Sequence, residues 1–491
     1  MAFVLTLLYI ATSLLSPGVF PGEIVALHIS VILAILVMIT AVWSLGDSKL
    51  LTLPDGYLAI GLLITTIMST LATGWFGGAI TTFMDFVPIL AAFFFVAVTC
   101  STLQRIKILV YVMLLVVLFI LSQGAIAAHA GNVTSPYILS ENVAGGNVLY
   151  RWRGLGVIAD PNDLAQVLVT LIPLLFLRWK KGHSSSNFLF TIAPAAILAT
   201  GIFFTHSRGG TLALVAIVLF GFKDKLSIVG SSILAGACMV AMLALGVGGG
   251  RGIDQDDGAR VDFWGNGLQT LKQHPIFGVG YGGFADYNHG RAAHNTFILA
   301  MVELGFVGYF FWIGMVVSSW SGLSHMIPPK AKTAKDKAKA VLNFRSSSKT
   351  SNMPSALSPL VNAPVGATPF STRSAIQSDA QSISDTVGRW SSSSRPSLED
   401  SLKDDAPGED ELADAARIVR TSFVGMLTAG FFLSRTYALI LYVMLGVAVC
   451  LIRLSPKRVS LDMRTLAIRT ALIMVFSVIG IYIFVRLHGT T

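Results

Sequence analysis

Apolar stretches of about 20 residues recur along almost the whole 491-residue chain and are separated by shorter polar segments. A stretch of that length spans the hydrocarbon core of a bilayer as an α-helix, whereas strands of a membrane barrel alternate apolar and polar positions. The pattern therefore predicts an all-α polytopic membrane protein with about 12–13 transmembrane helices. The predicted spans are 2–16, 24–45, 57–73, 79–101, 107–128, 157–178, 187–206, 209–222, 226–247, 294–320, 420–434, 436–452 and 466–485.

The composition agrees with this pattern, because 54% of the residues are hydrophobic, only 12% are charged and the mean hydropathy is +0.71. A soluble domain is about 25% charged, so this chain has too few charges to cover a soluble surface. An ordinary cytosolic enzyme, a disordered protein and a disulfide-rich secreted module are thereby excluded. Cys100, Cys238 and Cys450 all lie within apolar runs and are too few for a disulfide framework.

The distribution of basic residues predicts the orientation of the spans. If the N-terminus is cytoplasmic, most of the 35 Lys and Arg residues fall in inside loops, as the positive-inside rule requires. The net charge of +9 is therefore mainly a topology signal, and no nucleic-acid partner is expected. The informative charges are the few arginines in outside loops, where the rule disfavours them.

The spans and the segments that interrupt them divide the chain into seven parts. A small outside loop and a large one are expected on the periplasmic side, and a Ser- and Pro-rich insert is expected to be disordered in the cytoplasm. The parts are 1–128 (transmembrane helices), 129–156 (periplasmic loop), 157–247 (transmembrane helices), 248–293 (large periplasmic loop), 294–325 (transmembrane helix), 326–416 (cytoplasmic insert) and 417–491 (transmembrane helices).

The large outside loop is predicted to contain an amphipathic helix over 259–273, with Val261, Trp264, Leu268 and Leu271 on one face. Such a helix is expected to lie on the outer leaflet with Trp264 at the level of the headgroups. Arg260 would then be held at the membrane surface, where a guanidinium group is suited to bidentate contact with phosphate.

Further along the same loop, the glycine-rich run 278–283 lacks the strand and the Lys-Ser/Thr of a nucleotide-binding loop, so a bend with close backbone packing is favoured. The acidic run 254–256 is similar to metal and nucleotide-sugar sites. It faces away from the cytoplasm, where nucleotide sugars are made, and no metal site is predicted.

Three further charged or titratable residues lie near the outer ends of predicted spans. Arg208 occupies a turn so short that it must sit at the mouth of the bundle, as a functional group or as a snorkelling side chain. His294 begins a span, where an imidazole can serve as a general base or satisfy a helix end. Glu303, about 13 Å deeper at 1.5 Å per residue, needs a partner or a function and points away from His294.

These residues together resemble the O-antigen ligase and O-antigen polymerase superfamily. His294-Asn295, nine residues, Gly305, two residues and Gly308 are similar to its His-Asn-x9-Gly-x-x-Gly signature, and 208–212 is similar to an Arg-x3-Leu element of the ligases. The stretches 260–264 and 275–280 also resemble the family's periplasmic loop. The resemblance is clearest over 150–320 and from 431 onward.

The resemblance implies a GT-C-like, metal-independent glycosyltransferase without a cofactor, in the bacterial inner membrane, with its active site on the periplasmic side. The donor would be a glycan on undecaprenyl diphosphate and the acceptor lipid A-core, with membrane lipids around the protein. His294 would be catalytic, and Arg208 and Arg260 would contact the diphosphate. Further candidates for substrate contacts are Arg153, Asp160, Arg291, Asn295 and Glu303.

Two alternatives to a ligase remain open from the sequence. A polymerase of the same superfamily would transfer the glycan to a second carrier-linked glycan. A flippase or transporter of lipid-linked sugars would place charged residues along a path through the bilayer midplane. Here the arginines and His294 gather at one face instead, and only Asp85 and Glu303 lie well within spans.

Overall fold

The computed structural model describes residues 1–15, 29–48, 53–143, 146–223, 230–237, 253–328, 407–456 and 462–488. All of them except Pro328 and residues 407–408 belong to one compact unit, which is made of Met1–Ile327 and Glu409–Thr491. The last residues of the insert predicted to be disordered, 326–416, belong instead to the helix Glu409–Gly430. Its residues 329–406 lie outside the described residues. So do most of the predicted span 226–247 and the glycine run 248–250.

The described part of the chain is built of helices and one small hairpin. The helices are α1 (Ala2–Leu15), α2 (Ile29–Ser48), α3 (Pro54–Ala72), α4 (Phe76–Thr99), α5 (Leu103–His129), α6 (Pro161–Leu174), α7 (Ala193–Phe204), α8 (Arg208–Phe222), α9 (Ile253–Gln273), α10 (Thr296–His325), α11 (Glu409–Gly430), α12 (Leu439–Leu454) and α13 (Met463–His488). A short helix, Ser184–Asn187, and a π-helical turn, Phe188–Ile192, lead directly into α7. The strands are β1 (Ile138–Asn142) and β2 (Val148–Trp152).

The all-α membrane architecture predicted from the sequence is confirmed. Within the described residues, six helices are long and apolar enough to cross a membrane: α3, α4, α5, Ser184–Phe204, α10 and α13. Shorter apolar helices are Ala2–Leu15, Ile29–Ala41, Arg208–Phe222 and Leu439–Leu454. The total of 12–13 spans stays a prediction, because part of the chain is not described.

Burial in this bundle follows what a lipid solvent requires. The C-terminal helix α13 leaves large apolar side chains such as Leu472, Phe476 and Ile483 exposed, and lipid tails would cover them. The interior is also largely apolar and includes Trp312 and Tyr442. The helices are thus held by close packing rather than by a difference in polarity between inside and outside.

The loop 129–156 contains an antiparallel hairpin that the sequence analysis missed. Strands β1 and β2 pair with Leu139 opposite Arg151, β1 contacts α5, and β2 contacts α7. The hairpin therefore lies at the end of the bundle where α5 and α7 finish and α6 and α8 begin. This end is called the hairpin end below.

Helix α10 is broken at Gly305, whose backbone (φ 62, ψ −172) is not helical. The chain 275–280 fills the break: Val279 N–H donates to the carbonyl of Val302 at 3.0 Å, and Gly280 N–H donates to that of Glu303 at 3.1 Å. A Cβ on Gly278 would lie 2.4 Å from the oxygen of Val302. The bend with close backbone packing predicted for the glycine run is confirmed, and its partner is the broken helix.

Candidate functional site

Arg208 is the first residue of α8 and follows a turn of three residues after α7. The hydroxyl of Ser207 caps α8 by accepting from the N–H of Gly210 at 3.1 Å. The two glycines that follow Arg208 allow close packing, since a Cβ on Gly209 would lie 2.8 Å from Cβ of Phe432. The tight turn and this packing place the half-buried Arg208 at the positive N-terminal end of α8.

Arg260 lies on α9, one turn before Trp264. The apolar face predicted for this helix exists, and all four of its residues are at most 9% exposed. The indole Nε1 of Trp264 donates to the carbonyl of Ala293 at 2.8 Å, and its ring packs edge-on against Phe431. The prediction that Trp264 lies among lipid headgroups was wrong, because α10 and α13 offer α9 a protein surface to pack on.

Arg208 and Arg260 lie together in one small pocket at the hairpin end. Seven residues line it: Asn162, Ser207, Arg208, Gly209, Arg260, Phe432 and Leu433. None of these seven is acidic, and the N-terminus of α8 adds its own partial positive charge. Two guanidinium groups at a helix N-terminus favour negative charge, and the fork of arginine matches the geometry of a phosphate group.

His294 is joined to the wall of this pocket through the turn after α11. Its backbone N–H donates to Ser434 Oγ at 2.7 Å, and Ser434 follows the pocket residue Leu433. The hydroxyl of Thr296 reinforces the link by donating to the carbonyl of Leu433 at 2.6 Å. His294 itself is half-buried and is not among the residues that line the pocket.

The backbone of His294 has φ 49, in the left-handed region that residues other than glycine rarely adopt. Such a conformation costs about 1–3 kcal/mol, so the surrounding contacts must hold it. The next residue, Asn295, is buried and caps α10, with Oδ1 accepting from the N–H groups of Phe297 and Ile298. The side chain of Asn295 therefore fixes the start of α10 immediately after His294.

The other candidate contacts lie outside the lining of the pocket. Arg153 Nε donates to the carbonyl of Pro136 at 2.9 Å and so fastens the base of the hairpin. Asp160 caps α6, where its Oδ1 accepts from Asn162 N–H at 2.7 Å. Arg291 is exposed in the turn before α10. Their proposed substrate contacts stay predictions.

Glu303 is buried beside the break in α10 rather than in the arginine pocket. Its Oε1 accepts from the N–H of Phe284 at 3.4 Å. Burial raises the pKa of Tyr281, which lies in the loop 248–293 near this carboxyl group, to about 12.

The sequence analysis named neither the pocket residue Asn162 nor its neighbour Arg151 as a candidate for the site. The guanidinium group of Arg151 is buried and donates to three oxygens: Thr205 O at 2.9 Å, Glu141 Oε2 at 3.0 Å and Asn162 Oδ1 at 3.1 Å. The signal available in the sequence was that Arg151 lies in the predicted outside loop 129–156, where the positive-inside rule disfavours a basic residue. Its partners are distant along the chain and could not be identified from spacing.

A second ion pair, between Arg435 and Asp163, joins the turn after α11 to the first turn of α6. Asp163 is almost fully buried, and the backbone N–H of Arg435 also donates to Thr296 Oγ1 at 3.1 Å. The turn that carries the pocket wall is therefore fastened to α6 and α10 at once.

No three His, Cys, Asp or Glu side chains gather as a set of metal ligands in the part of the chain that the structure describes. The acidic run 254–256 lies in the first turn of α9, where side chains are outside that description. That the reaction needs no metal stays a prediction.

Comparison with known proteins finds similarity over part of the chain. Residues 193–313, which include Arg208, Arg260 and His294, match the family model described as O-Antigen ligase. The chain is 31% identical over 118 residues to the exopolysaccharide production protein ExoQ of Rhizobium meliloti, which covers 20% of this chain and 27% of that protein. It is 25% identical over 167 residues to an uncharacterized protein of Haemophilus influenzae, covering 26% of this chain and 41% of that one.

The chain thus spans less than half the length of these two curated relatives. The matches confirm the resemblance to the O-antigen ligase and polymerase superfamily that the motifs predict.

Proposed function

We propose that this multi-pass membrane protein is a glycosyltransferase that moves a glycan from undecaprenyl diphosphate to lipid A-core, as an O-antigen ligase does. The observation that carries the proposal is the pocket that Arg208 and Arg260 share at the N-terminus of α8. Its chemistry fits a diphosphate, and the turn through Leu433 and Ser434 joins it to His294.

The transfer is a direct displacement at the anomeric carbon of the donor. A hydroxyl oxygen of the acceptor forms the new bond, the bond to the diphosphate oxygen breaks, and the diphosphate leaves with the electron pair. Negative charge grows on the leaving group, so Arg208 and Arg260 stabilise the transition state more than the ground state. The anomeric configuration is inverted because there is a single displacement.

The imidazole of His294 takes the proton that the attacking hydroxyl loses. The neutral form of an imidazole has a ring nitrogen that can accept this proton, which then passes to water. This site lies on the periplasmic side of the bacterial inner membrane. The basic residues of the short loops favour the cytoplasmic side, and this orientation turns the hairpin end outward.

A transfer assay in proteoliposomes tests the proposal, with a carrier-linked glycan as donor and lipid A-core as acceptor. Arg208→Ala, Arg260→Ala and His294→Ala are each expected to lower kcat/KM about 100-fold or more. Arg486→Ala, an exposed arginine in the last turn of α13, is the matched control and keeps wild-type activity. A stably inserted His294→Ala protein that transfers glycan at the wild-type rate would show that the assignment is wrong.

A polymerase is the second candidate, and the name of one relative, an exopolysaccharide production protein, favours it. The arginine pocket serves either reaction, because both expel the same diphosphate. The assay separates them if a second carrier-linked glycan replaces lipid A-core as the acceptor. Lengthened carrier-linked chains without a lipid A-core product would identify a polymerase.

The metal-independence of either reaction predicts an unchanged rate in excess EDTA.

A further inference from the structure

We propose that the carboxamide of Asn162 is a third contact to the donor diphosphate, and that Arg151 sets its orientation. The inference rests on the proposed function, since it requires a diphosphate between Arg208 and Arg260. It adds a neutral residue from α6 to a site that the sequence motifs place on α8 and α9. Asn162 lines the pocket together with both arginines.

The orientation of the Asn162 amide follows from the chemistry of Arg151. A guanidinium group has only donors, so the atom of Asn162 that lies 3.1 Å from Arg151 Nη2 must be the oxygen. The amide nitrogen then forms the other branch of the side chain. It carries two N–H donors and no acceptor, which is the hydrogen-bonding character that an anionic oxygen requires.

Arg151 is itself firmly held. Its side chain is 4% exposed, and its charge is paired with Glu141 at 3.0 Å. Because it is buried and neutralised, we assign it a positioning role rather than a contact with substrate. Its Nε also donates to the carbonyl of Thr205, three residues before Arg208. One guanidinium group thus joins the α6 wall of the pocket to the turn that carries Arg208.

The backbone of Asn162 is fixed as well. The carboxylate of Asp160 accepts from the N–H of Asn162 at 2.7 Å, as the cap of α6. The residue is therefore held at its main chain by the cap and at its amide oxygen by Arg151. Its N–H donors are ordered before substrate binds, so little entropy is lost when they meet the diphosphate.

Asn162→Asp tests the contact with little change in shape. One aspartate oxygen keeps the bond to Arg151, while the other replaces the N–H donors with a negative charge. The probe is farnesyl diphosphate, with farnesol as its uncharged counterpart, and binding is measured on the full-length protein in nanodiscs. Asn162→Ala is expected to weaken farnesyl diphosphate binding about 10-fold, and Asn162→Asp about 100-fold.

Asn132→Asp is the matched control. Asn132 is exposed, and its Oδ1 accepts hydrogen bonds from the N–H and the hydroxyl of Thr134, which an aspartate oxygen can accept as well. It is expected to bind the probe as the wild type does. Wild-type affinity in stably folded Asn162→Ala overturns the inference even if Asn162→Asp fails to fold. If instead the wild type does not prefer farnesyl diphosphate over farnesol, or Arg208→Ala binds normally, the proposed function fails with it.

The positioning role of Arg151 is tested by a double-mutant cycle with Arg151→Lys and Asn162→Ala. If Arg151 acts through Asn162, the double variant binds farnesyl diphosphate within about threefold of the weaker single variant. If Arg151 had a merely structural role, the double variant would lose affinity by the product of the two single losses. The unfolding temperatures of all four proteins are measured alongside, so that a general loss of structure is recognised.

Discussion

The backbone N–H of His294 donates to the hydroxyl of Ser434 at 2.7 Å, and this contact joins the proposed base to the arginine pocket. Ser434 follows Leu433 in the pocket wall, and the φ of His294 is 49. The direction of the imidazole therefore depends on a turn that lies 140 residues away along the chain.

Removing that hydroxyl should affect the chemical step more than binding. Ser434→Ala is expected to lower kcat about 10-fold, because His294 loses the contact that holds its strained backbone. The affinity for farnesyl diphosphate should stay at the wild-type value. Stopped assays at saturating donor measure kcat. Ser122→Ala, which removes an exposed hydroxyl bonded to its own helix, is the control.

Gly305 is expected to tolerate no side chain. A Cβ there would lie 2.3 Å from the carbonyl oxygen of Ile276, on a backbone with φ 62. Gly305→Ala should cost about 3 kcal/mol or more of folding free energy, seen as lost expression or a lower unfolding temperature. Gly480→Ala is the control, because none of the described residues outside its own helix has an atom within 4 Å of a Cβ on Gly480. This variant should be at least as stable as the wild type. Equal stability of the two variants would contradict the broken helix.

Glu303 is expected to be structural rather than to contact substrate. Glu303→Gln has nearly the same shape and keeps an oxygen that can accept from the N–H of Phe284, so kcat/KM should stay within about threefold. Glu303→Ala leaves that N–H without its acceptor, and the unfolding temperature should fall. A loss of transfer in well-folded Glu303→Gln would show instead that the carboxyl group takes part in the reaction.

The Arg435–Asp163 pair is expected to hold the pocket wall in place. Arg435→Ala leaves the buried carboxylate of Asp163 without this partner and should lower the free energy of unfolding by about 3 kcal/mol. Arg435→Lys keeps the charge and should recover part of this loss, whereas Arg417→Ala removes an exposed arginine paired within its own helix and should cost little. Thermal unfolding in detergent compares the three variants.

The sequence was sufficient for features that depend on local pattern. The apolar spacing from Val261 to Leu271 predicted the buried face of α9, and the short turn predicted Arg208 at the mouth of the bundle. The glycine run 278–283 predicted a close backbone contact. Each of these follows from helical periodicity or from the space that glycine leaves.

Features that depend on distant partners could not be predicted. The five-residue strands β1 and β2 are short, and their apolar positions are too few to distinguish a hairpin from irregular loop. The packing of Trp264 on Phe431 and the three bonds of Arg151 join segments far apart in the chain. Only the folded bundle determines which oxygen a buried guanidinium group meets.

The central claim is that Arg208 and Arg260 bind the leaving diphosphate beside His294. Electron cryo-microscopy of the protein in nanodiscs with bound farnesyl diphosphate tests it most directly. We expect diphosphate density between the two guanidinium groups, within hydrogen-bond distance of both, with the His294 imidazole facing the C1 end of the ligand. Diphosphate density away from the pocket, or an imidazole turned from it, would contradict the account.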